Sequence, residues 1–386
     1  MHTKTWNQQL GKENNKSLVL QMILEREPIS RADIAHVTGL NKATVSSLVN
    51  ELLEEELIYE SGPGESSGGR RPVLLHFNKV AGYAIGIDIG VNYILGVLTD
   101  LKGNILIEKN QLLLDTSYTV VIDPVIKMIC SLMEEMQFSK YGIVGIGIGV
   151  PGIIDKAGTV LLAPNLGWKN LSFKEKITDE FNLPVIIENE ANAGAYGEKQ
   201  FGAGQNFQNI IYVSAGIGIG VGLILNGELY QGKNGFSGEM GHMIIEVNGK
   251  QCSCGSRGCW EAYASEHALI NVANQKYLSL EMLIGLAEKN DESALKLFEQ
   301  IGCYLGYGIN NIINTFNPEQ VIIGNRLAKA SRWLEEPIRK TINTHTLPFH
   351  YHEVKLDFSK LSTYSAALGL TAFVVENFIN DGVKNL

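Results

Sequence analysis

The sequence contains no apolar run of the roughly 18 residues that a membrane-crossing helix requires. Its opening stretch, Met1 to Lys16, is polar and rich in Asn and Gln rather than apolar as in a secretory leader. A membrane-embedded protein is therefore not expected, and the cytoplasm is the expected compartment. Cysteine is scarce, with 5 in 386 residues, and Cys130 and Cys303 stand alone as ordinary buried thiols would. A disulfide-stapled secreted scaffold is thereby excluded. Basic charge is short as well: 32 Lys and Arg face 41 Asp and Glu, a net charge of −9, and residues 1–78 hold 8 against 10. With no global positive field, any binding to DNA has to come from locally placed groups. A chain of 386 residues is long for one compact core, so a small module joined to a larger two-lobed body is expected, and an apolar fraction of 45% is that of a well-packed protein.

The N-terminal part reads as three helices and a hairpin. Residues 16–26 form an apolar, helix-compatible stretch that stops before Pro28. Ser30 stands three residues before Asp33, a capping-box spacing, and Ile29 and Ile34 take the two positions of a hydrophobic staple, so a second helix starts near Arg31. Thr38-Gly39 closes it, because glycine can adopt the positive φ of a sharp turn. A third helix follows, with Asn41 as N-cap and Val45, Leu48, Val49, Leu52 and Leu53 as one apolar stripe. Its other face presents Lys42, Thr44, Ser46, Ser47 and Asn50, short polar groups able to reach phosphates or base edges, although any amphipathic surface helix can look this way. The strand-like runs 57–60 and 73–77 flank a glycine-rich tip that ends in Arg70 and Arg71. This order of elements is that of a winged helix-turn-helix, in which Arg70 and Arg71 would reach phosphates or the minor groove.

From Tyr83 onward, glycine-rich apolar strands alternate with helical stretches, at 84–90, 143–152 and 210–222. An α/β body with ligands near strand ends is expected, and two halves each opening on a strand and hairpin suggest a duplicated, actin-like, two-lobed architecture. Close packing between elements also selects glycine, so the strands alone do not decide function. The most specific motif is Gly241-His242 followed by Cys252, Cys254 and Cys259. Three thiolates and one imidazole fill a closed tetrahedral zinc site with no open position for water, which makes one structural Zn2+ per chain the expected cofactor. Glu239 and Glu261 flank this motif, and Asn189 and Glu190 end the strand that begins near Leu183. Together these residues offer the donors and acceptors that sugar hydroxyls require.

The runs Ser-Gly-Glu239-Met-Gly-His242 and Cys252-x-Cys254-Gly-x-x-Gly-Cys259-x-Glu261 resemble the signature of the ROK family of repressors and kinases over residues 83–386. With Ile29-Ser-Arg-Ala-Asp-Ile34 and Ser67-Gly-Gly-Arg-Arg-Pro72, the whole chain is similar to the bacillus-type xylose repressors within it. The resemblance implies zinc on His242, Cys252, Cys254 and Cys259, and sugar contacts from Asn189, Glu190, Glu239, His242 and Glu261. It also implies a homodimer on a palindromic operator in double-stranded DNA, released by a sugar inducer, xylose above others. The expected domains are a winged helix-turn-helix at 1–80, a first ROK lobe at 81–193 completed by a C-terminal helix at 364–386, and a second lobe at 194–363 bearing the zinc loop and the dimer contacts.

Several positions depart from the kinase members. Val91-Asn92 stand for Gly-Thr, Ala215 for a Thr, Ile219 for a Gly and Asn325-Arg326 for Gly-Gly of the nucleotide loops, so Val91, Ile219 and Arg326 add bulk there, and Glu190 stands where the kinases have an Asp base. Bulk in loops whose amides approach phosphates disfavours a nucleotide. A sugar sensor without enzymatic activity is the expected function. The alternative is an ATP-dependent sugar kinase with a DNA-binding appendage.

Overall fold

The computed structural model describes residues 2–63, 72–273, 279–347, 349 and 354–382. Helix α1 (His2–Arg26) leads into strand β1 (Ile29–Ser30), helices α2 (Arg31–Thr38) and α3 (Lys42–Glu54), and the antiparallel strands β2 (Ile58–Pro63) and β3 (Val73–Phe77). The local signals act as expected. Ser30 and Asp33 cap α2 reciprocally, Gly39 closes it at φ 71°, and the Asn41 side chain accepts the Thr44 N–H at the start of α3. Val45, Leu48, Val49 and Leu52 are buried, while Leu53 is only partly covered. α1 starts well before the apolar stretch at 16–26. Its polar part is held by tertiary ion pairs, Lys12 to Glu51 at 2.8 Å and Lys16 to Glu55, both on the face of or just beyond α3. Arg70 and Arg71 lie outside the described residues.

The first lobe contains β4 (Tyr83–Ile89), β5 (Tyr93–Asp100), β6 (Ile105–Leu112), α4 (Tyr118–Glu134) and β7 (Ile143–Val150). A small sheet of β8 (Ile153–Ile154), β9 (Val160–Ala163) and β10 (Trp168–Leu171) follows, and then α5 (Phe173–Phe181), β11 (Val185–Asn189) and α6 (Glu190–Phe201). The second lobe holds β12 (Ile210–Ala215), β13 (Ile219–Leu225), β14 (Glu228–Leu229), α7 (Glu261–Ala264), α8 (Glu266–Val272), α9 (Leu280–Glu288) and α10 (Glu292–Phe316). It ends with β15 (Gln320–Gly324), α11 (Ser331–His345) and β16 (Lys355–Phe358), and α12 (Ser365–Asn377) closes the body.

The two main sheets have the same plan. In the order β11-β7-β4-β5-β6, β4 pairs antiparallel with β5 and parallel with β7. In the order β16-β15-β12-β13-β14, β12 pairs antiparallel with β13 and parallel with β15. Each lobe therefore opens on a hairpin and adds parallel strands on the far side, the duplication that its glycine-rich strands suggest. The strand at 143–152 does not open a lobe; it is β7, fully buried beside β4.

α12 packs on β4 and β7 of the first sheet, α6 packs on β12 and β13 of the second, and the two helices pack on each other. α6 runs unbroken through residues 193 and 194, so the lobe boundary expected there falls inside a helix. Contact between α6 and α12 is close enough to require glycine. A Cβ on Gly369 would lie 1.8 Å from the Ala193 carbonyl oxygen, and one on Gly197 would lie 2.1 Å from that of Ser365.

The N-terminal module is not on a loose tether. Its core residues Val19, Leu20 and Ile23 share one buried cluster with Ala84, Leu101 and Val144 of the first lobe and with Val374, Val375 and Ile379 at the chain's far end. Polar contacts add to this, with Tyr141 Oη donating to the Glu55 carbonyl at 2.9 Å and Lys102 paired with Glu27. Burial of this kind stabilises by roughly 25 cal/mol per Å² of apolar surface removed from water, so the module moves with the first lobe.

Candidate functional site

Between the lobes, where the carboxyl ends of β11, β12 and β15 converge, lies a cavity of about 160 Å³. Ligands in α/β folds sit at such strand ends. Asn189, Glu190, Glu239, His242 and Glu261, the residues expected to meet a sugar, all line it, and so do Asn165, Ser214, Asn325 and Arg326.

Each has a distinct local role. Asn189 caps α6, its Oδ1 accepting from the Ala191 and Asn192 N–H groups at 2.8 and 3.1 Å, while its Nδ2 donates to the Gly152 carbonyl at 2.9 Å. Glu239 stands exposed on the short 3-10 turn Glu239–His242. Glu261 is 9% exposed and its carboxylate is divided, Oε2 accepting the Ile219 N–H at 3.0 Å and Oε1 the Ser253 hydroxyl at 3.2 Å. It thus ties the cysteine loop to β13.

Glu190 begins α6, and its Oε1 accepts from the Ser214 hydroxyl and from Asn325 Nδ2, the latter at 2.9 Å. Burial pushes its carboxyl above the ordinary value, with these two donors pulling back. Behind it sits Asp88, 1% exposed, with Oδ2 accepting the Tyr93 hydroxyl at 2.7 Å and Oδ1 buried without a partner. Burial first, and the neighbouring Glu190 second, push Asp88 up to about 8.

In the half of the cleft where the kinase resemblance would put a nucleotide, several groups are committed to partners within the chain. The Tyr93 ring covers the turn after β4 so closely that a Cβ on Gly90 would meet it at 2.2 Å, so that glycine is required by an internal aromatic ring. Arg326 donates to both carboxylate oxygens of buried Glu266 at 2.7 and 3.0 Å, and to Glu281 at 3.1 Å. Ile219 belongs to the core of the second lobe and Val91 packs on that of the first, and both also line the cavity beside Arg326. Asn325 holds φ 63° and ψ −158°, a region occupied almost solely by glycine and costing other residues about 1–3 kcal/mol.

His242, Cys252, Cys254 and Cys259 have one ligand atom each within 4.8 Å of all the others. Zinc–sulfur bonds of about 2.3 Å put tetrahedral neighbours about 3.8 Å apart. Cys254 and Cys259 sulfurs are 3.8 Å apart, and Cys252 Sγ is 3.6 Å from His242 Nδ1. The spacing and the soft donor set therefore fit the metal. Burial and the adjacent sulfurs push the Cys259 thiol up to about 12, an unfavourable crowding of thiolates that a bound cation offsets. With His242 Nδ1 facing the cluster, Nε2 is left for the cleft.

On the N-terminal module, Lys42, Ser47 and Asn50 are exposed on α3, while Thr44 and Ser46 are half-buried. Asn50 does not stand free: Arg31 donates to its Oδ1 at 3.0 Å and to Glu60 at 2.9 Å. Sequence reasoning passed over Arg31, although a cation in the first turn of a helix opposes the macrodipole and so calls for an outside partner.

A model of the ROK family matches residues 84–377. The chain is 48% identical over 376 residues to a xylose repressor of Bacillus spizizenii, covering 97% of this chain and 98% of that one. Its fold is similar to that of a ROK family transcriptional regulator, a homolog of the E. coli MLC protein, with a TM-score of 0.81 and 29% identity over 97% of this chain and 98% of the other. It is also similar to a ROK family glucokinase from Streptomyces griseus in complex with glucose and AMPPNP, with a TM-score of 0.71 and 28% identity over 76% of this chain and 99% of the other. The full-length match and the helix-helix-helix-hairpin module ahead of a two-lobed body make this chain a member of the ROK family, on its regulator side.

Proposed function

We infer that this chain is a sugar-responsive transcriptional repressor, with xylose as its inducer. The observation that carries the reading is that one buried core joins a winged helix-turn-helix to a lobe of a sugar-kinase fold. The match along nearly the whole length to a xylose repressor supports the choice of sugar. As a homodimer joined through its second lobes, the protein places two α3 helices in successive major grooves of a palindromic operator, about 34 Å apart. Lys42, Thr44, Ser46, Ser47 and Asn50 meet the groove, and Arg70 and Arg71 meet the backbone beside it. Xylose enters the cleft against Asn189, Glu190, Glu239, His242 and Glu261. A repressor that meets its operator works where the DNA is, which we take to be the cytoplasm. Among the described residues no helix is long and apolar enough to cross a membrane.

Zinc, once bound by His242, Cys252, Cys254 and Cys259, supplies a closed structural crosslink. The chain's own residues do the rest: the braced loop fixes His242 Nε2 and hands Glu261 to the β13 amide, so the lower wall of the cleft is rigid before sugar arrives. Sensing rather than catalysis is supported by Glu190, one methylene longer than the Asp base of the kinases and held through Oε1 by Ser214 and Asn325, and by Arg326, which is committed to two glutamates on the nucleotide side.

The test is operator binding by fluorescence anisotropy against a panel of pentoses and hexoses, with ATP turnover measured on the same samples. Release by xylose without turnover is expected. Persistence of the complex at every xylose concentration refutes the inducer, and turnover of a few per second with any sugar restores the kinase reading.

A further inference from the structure

We propose that Asn325 is a positioning residue for the sugar site, a latch that anchors Glu190 from across the cleft and is kept in a glycine-type backbone conformation by its own side chain. The inference deepens the sugar-sensor reading and rests on it.

Three bonds make the latch. Asn325 Oδ1 accepts the Arg326 N–H at 2.7 Å, and Nδ2 donates to Glu190 Oε1 at 2.9 Å and to Ser214 Oγ at 3.0 Å. Ser214 donates in turn to the same Glu190 oxygen. The residues come from three strand ends in two lobes: Glu190 follows β11 of the first, Ser214 lies in β12 and Asn325 follows β15 of the second. Asn325 has φ 63° and ψ −158°, where an L side chain is strained. Glycine would sit there without strain, so the asparagine is retained at a cost that its bonds must outweigh. Those bonds lead to the one carboxylate that opens α6. Both donors fall on Oε1, which fixes the plane of the carboxylate and leaves Oε2 for a ligand in the cavity. A glutamate without this anchor has to lose its rotamer freedom on each binding event.

The experiment uses the full-length protein and the variants Asn325→Gly, Asn325→Ala and Ser214→Ala, with xylose affinity read by calorimetry and stability by thermal unfolding. Both Asn325 variants are expected to bind xylose about ten-fold more weakly, and Ser214→Ala by a smaller factor. The Gly variant should melt above the Ala variant, the reverse of the usual order, in which glycine is the less stable choice. A role in folding alone predicts instead that affinity is recovered with stability in the Gly variant. Wild-type xylose affinity in both Asn325 variants, or an Ala variant that melts higher than the Gly variant, overturns the latch. Two readings need no sugar: the Gly variant melting above the Ala variant reports the strain, and its melting below the wild type reports side-chain bonds that outweigh that strain. A Gly variant as stable as the wild type overturns the latch even if the wild type ignores xylose, a result that would sink the sensor reading alone.

Discussion

Asp88→Asn should make the protein more stable at alkaline pH, and the size of the gain follows from where Asp88 sits. The carboxyl is 1% exposed, one oxygen has no partner, and the groups facing it are Glu190, Tyr93 and Tyr212, none of them a cation. Burial, reinforced by Glu190, raises it from 3.8 to about 8 in the folded chain. In the unfolded chain the same group ionises near 3.8, so between the two values folding takes up a proton. The stabilisation is complete below pH 4 and is lost as pH rises through 8, with a slope approaching 1.4 kcal/mol per pH unit. Across that window the loss is several kcal/mol, a large part of the roughly 5–15 kcal/mol that holds a domain folded. Asn keeps an acceptor for the Tyr93 hydroxyl, offers an N–H on the partnerless side and carries no proton to lose. Thermal unfolding of wild type and variant at half-unit steps from pH 5.5 to 8.5 should give melting temperatures that diverge, the variant gaining as pH rises. Taking the difference at each pH removes the contribution of the cysteine cluster, which is common to both. Parallel curves would show that Asp88 ionises freely in the fold and would refute the reasoning.

Three other perturbations test separate parts of the molecule. Cys259→Ser should lower bound zinc from about one per chain to near zero by elemental analysis, with a fall in melting temperature that a chelator reproduces in the wild type. Arg31→Ala and Asn50→Ala should relax base preference at the same operator position, by about 1–3 kcal/mol, because Arg31 holds the Asn50 amide; selection from a randomised operator pool checks whether the two profiles coincide. Gly369→Ala forces a methyl group against the Ala193 carbonyl and should cost at least about 1–3 kcal/mol in denaturant unfolding, whereas equal stability would mean that α6 and α12 can part freely.

Local chemistry made the N-terminal module legible. A capping box, a glycine C-cap and an apolar stripe fix helix ends within a few residues of one another, and Ser30, Gly39 and Asn41 do what their residue types imply. The cysteine spacing was readable for the same reason, since ligands brought together by a short loop need no knowledge of the fold. What the sequence hid is tertiary. The polar start of α1 has no apolar periodicity and owes its place to Lys12 and Lys16 reaching α3. Asn189, chosen for its amide, spends that amide on a helix N-terminus, as an asparagine ahead of a helix commonly does. Ser214 and Asn325, 111 residues apart, meet at Glu190 only because β12 and β15 are neighbours in the sheet. No window along the chain contains that contact.

The same placement tells how a sugar can reach the DNA-binding module. Glu190 opens α6, which lies on the second sheet; α12 lies on the first and meets α6 through Gly197 and Gly369 without intervening side chains. Backbones in such contact cannot compress, so a change in the angle between the lobes becomes a sliding or rotation of one helix on the other. Past its end, α12 continues to Ile379, whose carbonyl accepts the Ser17 hydroxyl of α1 and whose side chain lies in the core of the winged module. The module therefore keeps its position on the first lobe whatever the second lobe does. If the dimer is joined through the second lobes, each change of lobe angle moves the two α3 helices relative to one another, and a shift of a few ångströms breaks the match to half-sites about 34 Å apart. Sugar need only bind one lobe angle more tightly than the other. A difference near 1.4 kcal/mol changes the ratio of the two lobe angles up to tenfold at saturating sugar.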